Sequence, residues 1–443
     1  MKPDAARRAA TAILLAGYGL MLALNAPGQM SYDSVAQLAG GRSGLYNSWH
    51  PPVMSWLLGL FDAVIPGPLL FLVFQSLLLL GALLVLLWFR PRSWTCVPLA
   101  LAFVLTPQWL LYQGEIWKDI LFANAAIAGF AGLAIAARNW RISALILPAA
   151  ALILAAATRQ NGVVLLPVAA VTVALIAPRR GWAVGLGFLG ITLALTAGVS
   201  LVLVAHSDGG DGGDGARAQI RLGQSYDLVG ALARDPNLPL PALASADPVL
   251  DKLLRTRGTA LYTPLHNDPF AADPRISQAL ADSPDGAIAQ AWRGLVLGRP
   301  LLYARTRLAA FGAVVATPDP VACHFVFVGT SGPPALLRAL GLTAGVRPQD
   351  HALDRYARLF FGTPVYSHFA WGALALVLMV LLARRGAAPD LAVAGLLAGA
   401  LLFTVTFAII SIACDYRYLV FLDLSAIAAA LYAIGPSQPL KDF

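Results

Sequence analysis

Hydrophobic residues in this chain occur in long runs that polar residues rarely interrupt. A helix needs about 20 mostly apolar residues to cross roughly 30 Å of hydrocarbon, and most of the runs approach that length. The runs lie at 9–26, 68–89, 94–111, 120–137, 142–157, 163–177, 182–205, 366–383, 391–411 and 418–434. This pattern predicts an all-α polytopic membrane protein with about ten transmembrane helices.

The composition argues against the main soluble classes of protein. Hydrophobic residues make up 58% of the 443 residues and charged residues only 12%, whereas a soluble domain carries about 25% charged residues. The net charge of +8 does not indicate a nucleic-acid partner, because the arginines lie in short clusters between the apolar runs. Cys96, Cys323 and Cys414 show no CxxC spacing. We therefore expect neither a disulfide framework nor a zinc module.

The connectors between the runs are of two kinds, which predicts the topology. If the runs cross the membrane in alternating directions, all the basic connectors fall on the same side. These connectors are 7–8, 90–92, 138–141, 178–180 and 384–385. Because cytoplasmic loops are rich in lysine and arginine, the N-terminus is expected in the cytoplasm of a bacterial cell, with the chain in its cytoplasmic (inner) membrane. The basic start lacks a clear cleavage site and is interpreted as an uncleaved first span. The outward-facing connectors are then 27–67, 112–119, 158–162, 206–365 and 412–417.

Three domains follow from this topology. Residues 1–205 are expected to form an N-terminal bundle of seven spans, 206–365 a small and mostly helical outer domain, and 366–443 the C-terminal spans. The glycine-rich stretch 208–215 is interpreted as a flexible hinge, since it lacks the carboxylate spacing of a calcium loop.

Two apolar stretches are expected to lie at the membrane surface. In the first outer loop, 27–67, residues 53–64 are too few to span the membrane and predict an amphipathic interfacial helix. The stretch 300–316 is interrupted by two arginines, and we expect it in the interface as well. In the outer domain, Asp227 and His266 are interpreted as helix-cap and turn residues.

Candidate functional groups cluster in the short outer connectors, whereas the inner connectors offer only arginine. Asp33 is the first candidate, because its carboxylate lies in a loop too short to leave the membrane surface. Such a group can act as a general base, or hold a metal or a substrate hydroxyl. The alternative is an N-cap for a helix over 34–40.

His50 precedes two prolines, which hold it in an extended turn. It would bind phosphate as a cation or supply an acid, or else lie in an interfacial aromatic belt with Trp49. In the last outer connector, Asp415 and Arg417 are either ligand contacts or a simple ion pair that closes the bundle.

Lys118 and Arg159 lie at the ends of neighbouring spans and suit contacts with a phosphate. Lys118 has two alternatives, since it could snorkel to the interface or pair with Asp119 or Glu115. Arg159 has no acid nearby in sequence. We expect both to converge with the aspartate and histidine of the first loop on one outer cavity.

The order of these motifs resembles that of membrane glycosyltransferases of the GT-C class, which includes protein O-mannosyltransferases and lipid A aminoarabinose transferases. The matching motifs are Asp33 in the first outer loop, His50-Pro-Pro before an amphipathic helix, Lys118-Asp119 opening the fourth span, Arg159-x-Asn161-Gly162 opening the sixth, and Arg417-Tyr418 near the last. The resemblance is best over 1–205 and weaker over 366–434. Residues 206–365 match only as an outer domain.

The resemblance implies a polyprenyl-phosphate sugar as donor and a hydroxyl of a glycan, lipid or protein as acceptor, at the outer membrane face. It implies Asp33 as the general base, with inversion at the sugar carbon. The residues expected to bind substrate are His50, Lys118, Asp119, Arg159, Asn161, Glu115 and Arg417. Many relatives carry two adjacent acids in the first loop, whereas Ser34 follows Asp33 here, so the use of a divalent metal stays open.

Two other functions stay open from the sequence. A polysaccharide polymerase or ligase would use the same lipid-linked carriers and would look similar. A lipid or sugar transporter (flippase) would carry charged or helix-breaking residues near the midplane of its spans, whereas these spans are rich in Leu, Ala and Val. Membrane lipids are expected partners in every case.

Overall fold

The computed structural model describes residues 3–46, 49–89, 93–205, 214–284 and 286–434. The chain is 77% helical, and the described residues form isolated bridges but no strand, which confirms the all-α prediction. Of the predicted hinge 208–215, all but the last two residues lie outside the described part of the chain.

The N-terminal region contains the first ten α-helices. They are α1 (Pro3–Asn25), α2 (Tyr32–Ser43), α3 (Pro52–Asp62), α4 (Leu69–Trp88), α5 (Cys96–Val104), α6 (Pro107–Leu110), α7 (Lys118–Arg138), α8 (Ile146–Thr158), α9 (Leu165–Ile176) and α10 (Gly181–Ala205). Short 3₁₀ turns lie at Tyr112–Gly114, Ile142–Leu145 and Gln160–Val164.

The connecting segment contains the next ten, and the C-terminal region the last three. They are α11 (Asp214–Leu232), α12 (Pro241–Ala246), α13 (Pro248–Leu253), α14 (Thr259–Leu261), α15 (Asp268–Ala271), α16 (Pro274–Asp282), α17 (Ala287–Gly298), α18 (Pro300–Ala316), α19 (Pro334–Leu340), α20 (Pro348–Arg358), α21 (His368–Arg385), α22 (Ala388–Ile410) and α23 (Val420–Ala433). A π-helical turn lies at Leu254–Gly258, and 3₁₀ turns at Pro364–Tyr366 and Tyr416–Leu419.

Seven helices in the described residues are long and apolar enough to cross a membrane, which makes the chain a multi-pass membrane protein. An eighth span is formed if α5 and α6 are counted together, although they meet at an angle of 58°. Pro107 opens α6 and keeps Thr106 extended, which accounts for the break. Two further predicted runs form the shorter apolar helices Ile142–Thr158 and Gln160–Ile176. The predicted count of ten spans is therefore not reached by length alone.

The bundle is built around α7. Along the most apolar 18 residues of each span, 78% of the residues are buried in α7 and in the last span, against 17% in α10 and in α21. Small residues let neighbouring helices approach α7 closely, and Gly129 lies directly against Leu152 of α8. Close approach at small residues is typical of helix packing in membranes.

Helices α2 and α3 of the first loop form a tightly packed pair, and α3 confirms the helix predicted over 53–64. The two helices cross at Gly41 and approach so closely there that a Cβ atom added to Gly41 would lie only 2.2 Å from the Ser55 carbonyl oxygen. An ion pair of 2.7 Å between Arg42 Nε and Asp62 Oδ2 fastens one end. This packing sets the relative positions of Asp33, in the first turn of α2, and His50, just before α3.

The segment between α10 and α21 is divided among three cores, one of which joins Leu337 and Leu340 of α19 to the first loop. Apolar residues from Leu228 to Leu295 form a small core of their own. Residues of α18 and of the chain that follows pack instead on the membrane bundle, where Arg307 Nε donates to the Ala408 carbonyl of α22 at 3.2 Å. The interfacial position expected for 300–316 stays a prediction.

Asp227 is not a helix cap, and that interpretation is wrong. It lies inside α11, buried, and pairs with Arg307 Nη1 at 2.8 Å while it accepts a hydrogen bond from Trp292 Nε1. The partner is 80 residues away in the sequence, so the local context of Asp227 gives no sign of the pair. His266 lies between helices, as a turn residue should.

A disulfide framework was not expected from the cysteine spacing, yet the described residues contain one disulfide. Cys323 and Cys414 are bonded across a separation of 91 residues, and Cys96 is buried. Spacing rules recognise short cysteine motifs and cannot detect a single long-range pair. The bond fastens the chain that follows α18 to the connector that follows α22.

We predict that Gly41→Ala lowers the stability of the fold by about 1–3 kcal/mol, because the added methyl group overpacks the α2–α3 crossing. Thermal unfolding of the purified protein in detergent measures the effect. Gly81→Ala is the matched control, since no described atom lies within 4 Å of the Cβ it would add in α4. A melting temperature equal to that of the control would contradict the tight crossing.

Candidate functional site

Asp33 lies in the first turn of α2, whose N-cap is Ser31, so it is not the cap of a helix over 34–40. The positive end of the helix dipole favours a carboxylate at this position. The Asp33 side chain is 36% exposed and borders a cavity of about 230 Å³. The carboxylate is therefore accessible to a small molecule.

His50 lies between Asp33 and Lys118. Its Nε2 is 3.7 Å from Asp33 Oδ1, and its Nδ1 is 2.9 Å from the Lys118 ammonium. Because an ammonium group has only donors, Nδ1 must accept, which assigns a neutral imidazole with its Nε2–H towards Asp33. Burial lowers the pKa of His50, and although Asp33 opposes this effect, Lys118 and Arg417 add to it, so that the pKa is lower than its usual value. The expected role of His50 as a cation is not the state that these contacts favour.

Arg417 connects three carboxylates. Its guanidinium nitrogens lie 3.4 Å from Asp33 Oδ2, 3.0 Å from Asp415 Oδ2 and 4.0 Å from Asp119 Oδ2. Its guanidinium also stacks over Trp117, 4.6 Å from the ring centroid. The ion pair with Asp415 that the sequence suggested is therefore one part of a larger network.

The pKa of Asp33 reflects these neighbours. Burial alone would raise the pKa of the carboxyl, but His50, Arg417 and Lys118 outweigh burial and hold the pKa well below its usual range. Asp33 is consequently ionised at neutral pH, and its basicity depends on how strongly the cations remain engaged with it.

Arg159 lies behind this network rather than in the cavity wall. It forms a buried ion pair with Asp119, and its guanidinium is 5.4–5.7 Å from the ring centroids of Phe403, Phe407 and Tyr418. The sequence around Arg159 contains no acidic residue, and its acidic partner Asp119 comes from the start of α7. Arg159 thus holds Asp119, which in turn faces Arg417.

Glu115 and Asn161, both expected to bind substrate, are not among the residues that line the cavity. Asn161 Nδ2 donates to Thr406 Oγ1 at 2.9 Å and connects the start of the Gln160–Val164 turn to α22. Glu115 is fully buried, and neither of its carboxyl oxygens has a hydrogen-bond partner among the described residues. Burial raises the pKa of Glu115 well above its usual value. Their roles in binding stay predictions.

The cavity wall combines the first loop and the last connector with the segment after α10. The segment after α10 contributes residues that the sequence did not predict as part of a site, among them His266, Asp268, His324 and Phe327. No local motif marks them, because the disulfide and the fold of the segment bring them there. Cys414 itself lies in the wall.

The four side chains expected to converge on one cavity belong to one network of contacts, but only Asp33 of the four is among the residues that line the cavity. Asp33, His50 and Lys118 form a continuous chain of contacts, and Arg159 joins through Asp119 and Arg417. Among the described residues, no group of three or more His, Cys, Asp or Glu side chains is arranged to hold a metal ion.

The spans and the helical fold define a multi-pass membrane protein with a polar site at one end of its bundle. No family model matches the chain, and neither a curated protein nor a solved structure is significantly similar to it. The function of the site is therefore argued from its own residues.

We predict that Glu115→Gln makes the fold more tolerant of high pH. A carboxyl whose pKa is higher in the folded state stabilises the fold below its unfolded pKa, and this stability is lost as the pH rises through the folded pKa. Glutamine cannot ionise, so the variant should gain on the order of 1 kcal/mol over the wild type between about pH 4 and pH 8.

Melting temperatures across this pH range measure the effect, with Asp282→Asn on the exposed end of α16 as the control. The opposite result would be a Glu115→Gln variant that is less stable than the wild type, with a larger loss of stability at neutral pH than at acidic pH. That result would mean that Glu115 is ionised and paired.

Proposed function

We propose that this protein is a GT-C-type glycosyltransferase of the bacterial cytoplasmic membrane. It transfers a sugar from a polyprenyl-phosphate donor to an acceptor hydroxyl at the outer face, with Asp33 as the general base. One observation carries the proposal: a partly exposed carboxylate on a cavity wall has two cations, Lys118 and Arg417, and the neutral His50 ring gathered beside it. A base and a group of cations in one place are what transfer from a phosphate to a hydroxyl requires.

The reaction breaks one bond and forms another. The acceptor oxygen attacks the anomeric carbon and forms the new glycosidic bond, while its proton passes to an Asp33 carboxylate oxygen. The bond from the anomeric carbon to the phosphate oxygen breaks, and its electron pair leaves on the lipid phosphate. Attack opposite the leaving group inverts the anomeric centre. Asp33 then releases the proton to water in the cavity.

The cations act on both substrates. Lys118 and Arg417 are placed to stabilise the negative charge that grows on the leaving phosphate. Before the donor binds, the same cations hold the pKa of Asp33 low. An incoming phosphate competes for them, which raises the basicity of Asp33 when it is needed. His50 keeps its Nε2–H towards the carboxylate and orients it.

A second candidate, a proton-coupled transporter, is favoured by a different observation. His368 Nδ1 lies 2.9 Å from Asp423 Oδ1, both side chains are fully buried, and Tyr416 Oη donates to Asp423 Oδ2 at 2.6 Å. Ionisable residues buried inside membrane proteins are typical of proton relays. Proteoliposomes with an enclosed pH indicator and without acceptor distinguish the two, since a proton-coupled transporter changes the enclosed pH when its substrate gradient is applied, whereas a transferase without its acceptor releases no proton.

We predict that Asp33→Asn lowers kcat at least 10²-fold, because the amide keeps the shape of the side chain but cannot take a proton. The measurement is transfer of radiolabelled sugar from polyprenyl-phosphate sugars to an acceptor mixture from bacterial envelopes. Asp354→Asn on α20 is the control, since its ion pair with Arg358 lies apart from the cavity. Substantial turnover by a folded Asp33→Asn variant would rule out its role as the base.

We predict that Lys118→Met raises the KM for the donor about tenfold, equivalent to 1.4 kcal/mol, with a smaller effect on the KM for the acceptor. Methionine keeps the length of the chain and removes the charge that a phosphate would contact. Lys252→Met, at an exposed position of α13, is the control. An unchanged donor KM would remove Lys118 from the phosphate site.

A further inference from the structure

The cavity beside Asp33 has more carboxylates than guanidinium groups in its wall. Asp33, Asp268 and Asp415 line it, with Arg417 as the one guanidinium in its wall, and His266 and His324 complete its polar rim. His50 and Lys118 are not among its lining residues, and His50 contacts Asp33 Oδ1 whereas Arg417 contacts Oδ2. The cavity wall thus carries a surplus of carboxylates, while Lys118 lies outside it.

We propose that this cavity is the acceptor site, and that it takes an uncharged polyhydroxylated group of about one sugar ring. This inference rests on the proposed transferase function and names its acceptor class. An anionic acceptor would have to approach the carboxylates of Asp268 and Asp415, and like charges at short range oppose binding.

The size of the cavity supports the same conclusion. Its volume of about 230 Å³ lies below the roughly 300–1,000 Å³ of pockets for drug-sized ligands. Carboxylates accept hydrogen bonds from hydroxyls, and imidazoles both donate and accept. Phe327 and Val326 provide apolar surface between these polar groups. Several polar groups around a small apolar surface suit one ring with several hydroxyls.

The arrangement also separates the two substrates by charge. The phosphate of the donor is attracted to the side of Lys118 and His50, and the neutral acceptor occupies the acidic cavity. Asp33 lies between them, where it can reach the acceptor hydroxyl while the anomeric carbon approaches from the opposite side.

Binding of matched ring pairs tests the inference without turnover. The full-length protein in lipid nanodiscs is titrated with methyl hexopyranosides of gluco, galacto and manno configuration and with the corresponding methyl hexuronosides, followed by saturation-transfer NMR. Each pair differs only in a hydroxymethyl or carboxylate group. We expect at least one neutral ring to bind at least tenfold more tightly than its uronate.

Asp268→Asn should reduce this preference to less than threefold, and Asp268→Lys should reverse it, whereas Asp282→Asn should leave it unchanged. Asp268 is exposed at the start of a short helix, and a melting curve of each variant confirms that it is folded. Equal binding of neutral and anionic rings, no binding of any neutral ring, or a preference that Asp268→Lys does not alter would each overturn the inference.

The two proposals fail in different ways. If sugar is transferred and depends on Asp33 but no neutral ring binds, the acceptor inference is wrong and the transferase function stands. If neutral rings bind with the expected preference but no sugar is transferred, the cavity is a sugar site and the transferase function is wrong.

Discussion

The geometry of the site depends on the charge of Arg417. Three parts of the chain that are remote in sequence meet at its guanidinium: Asp33 from the first loop, Asp119 from the start of α7, and Asp415 from its own connector. Removing a charged group from water costs several kcal/mol, which only well-placed opposite charges offset. Without this cation, three carboxylates would face one another in a region of low dielectric constant, and the site would not hold its shape.

The connector that carries Arg417 is fixed on both sides of Asp415. Cys414 is bonded to Cys323, and Tyr416 donates from its hydroxyl to Asp423 and from its backbone N–H to the Cys323 carbonyl. Disulfides persist in oxidising compartments outside the cytosol. The bond therefore supports the outward-facing orientation that we propose for the site, and it does so independently of the arginine distribution.

The sequence predicted those site residues whose positions follow from the pattern of membrane spans. It missed the contacts whose positions do not follow from that pattern. Asp33, His50 and Lys118 could be placed together because each lies at an end of an apolar run on the same side. The pairs Arg159–Asp119, Arg307–Asp227 and Cys323–Cys414 join residues 40, 80 and 91 positions apart. No periodicity or short motif relates such positions, so only the fold reveals them. The predicted count of ten spans stays a prediction, because hydrophobicity does not show where a helix bends or stays short.

In the proposed reaction, the resting site is protected by the same charges that later make it active. While Arg417 and Lys118 face Asp33, the carboxylate is a weak base and does not activate water in the cavity. A donor phosphate draws these cations towards itself and so strengthens the base only when a sugar is in place. The acceptor, being neutral, cannot produce this effect. The charge distribution thus favours an order in which the lipid donor binds first and the acceptor second. In this order the acceptor hydroxyl is deprotonated only in a site that already holds the donor.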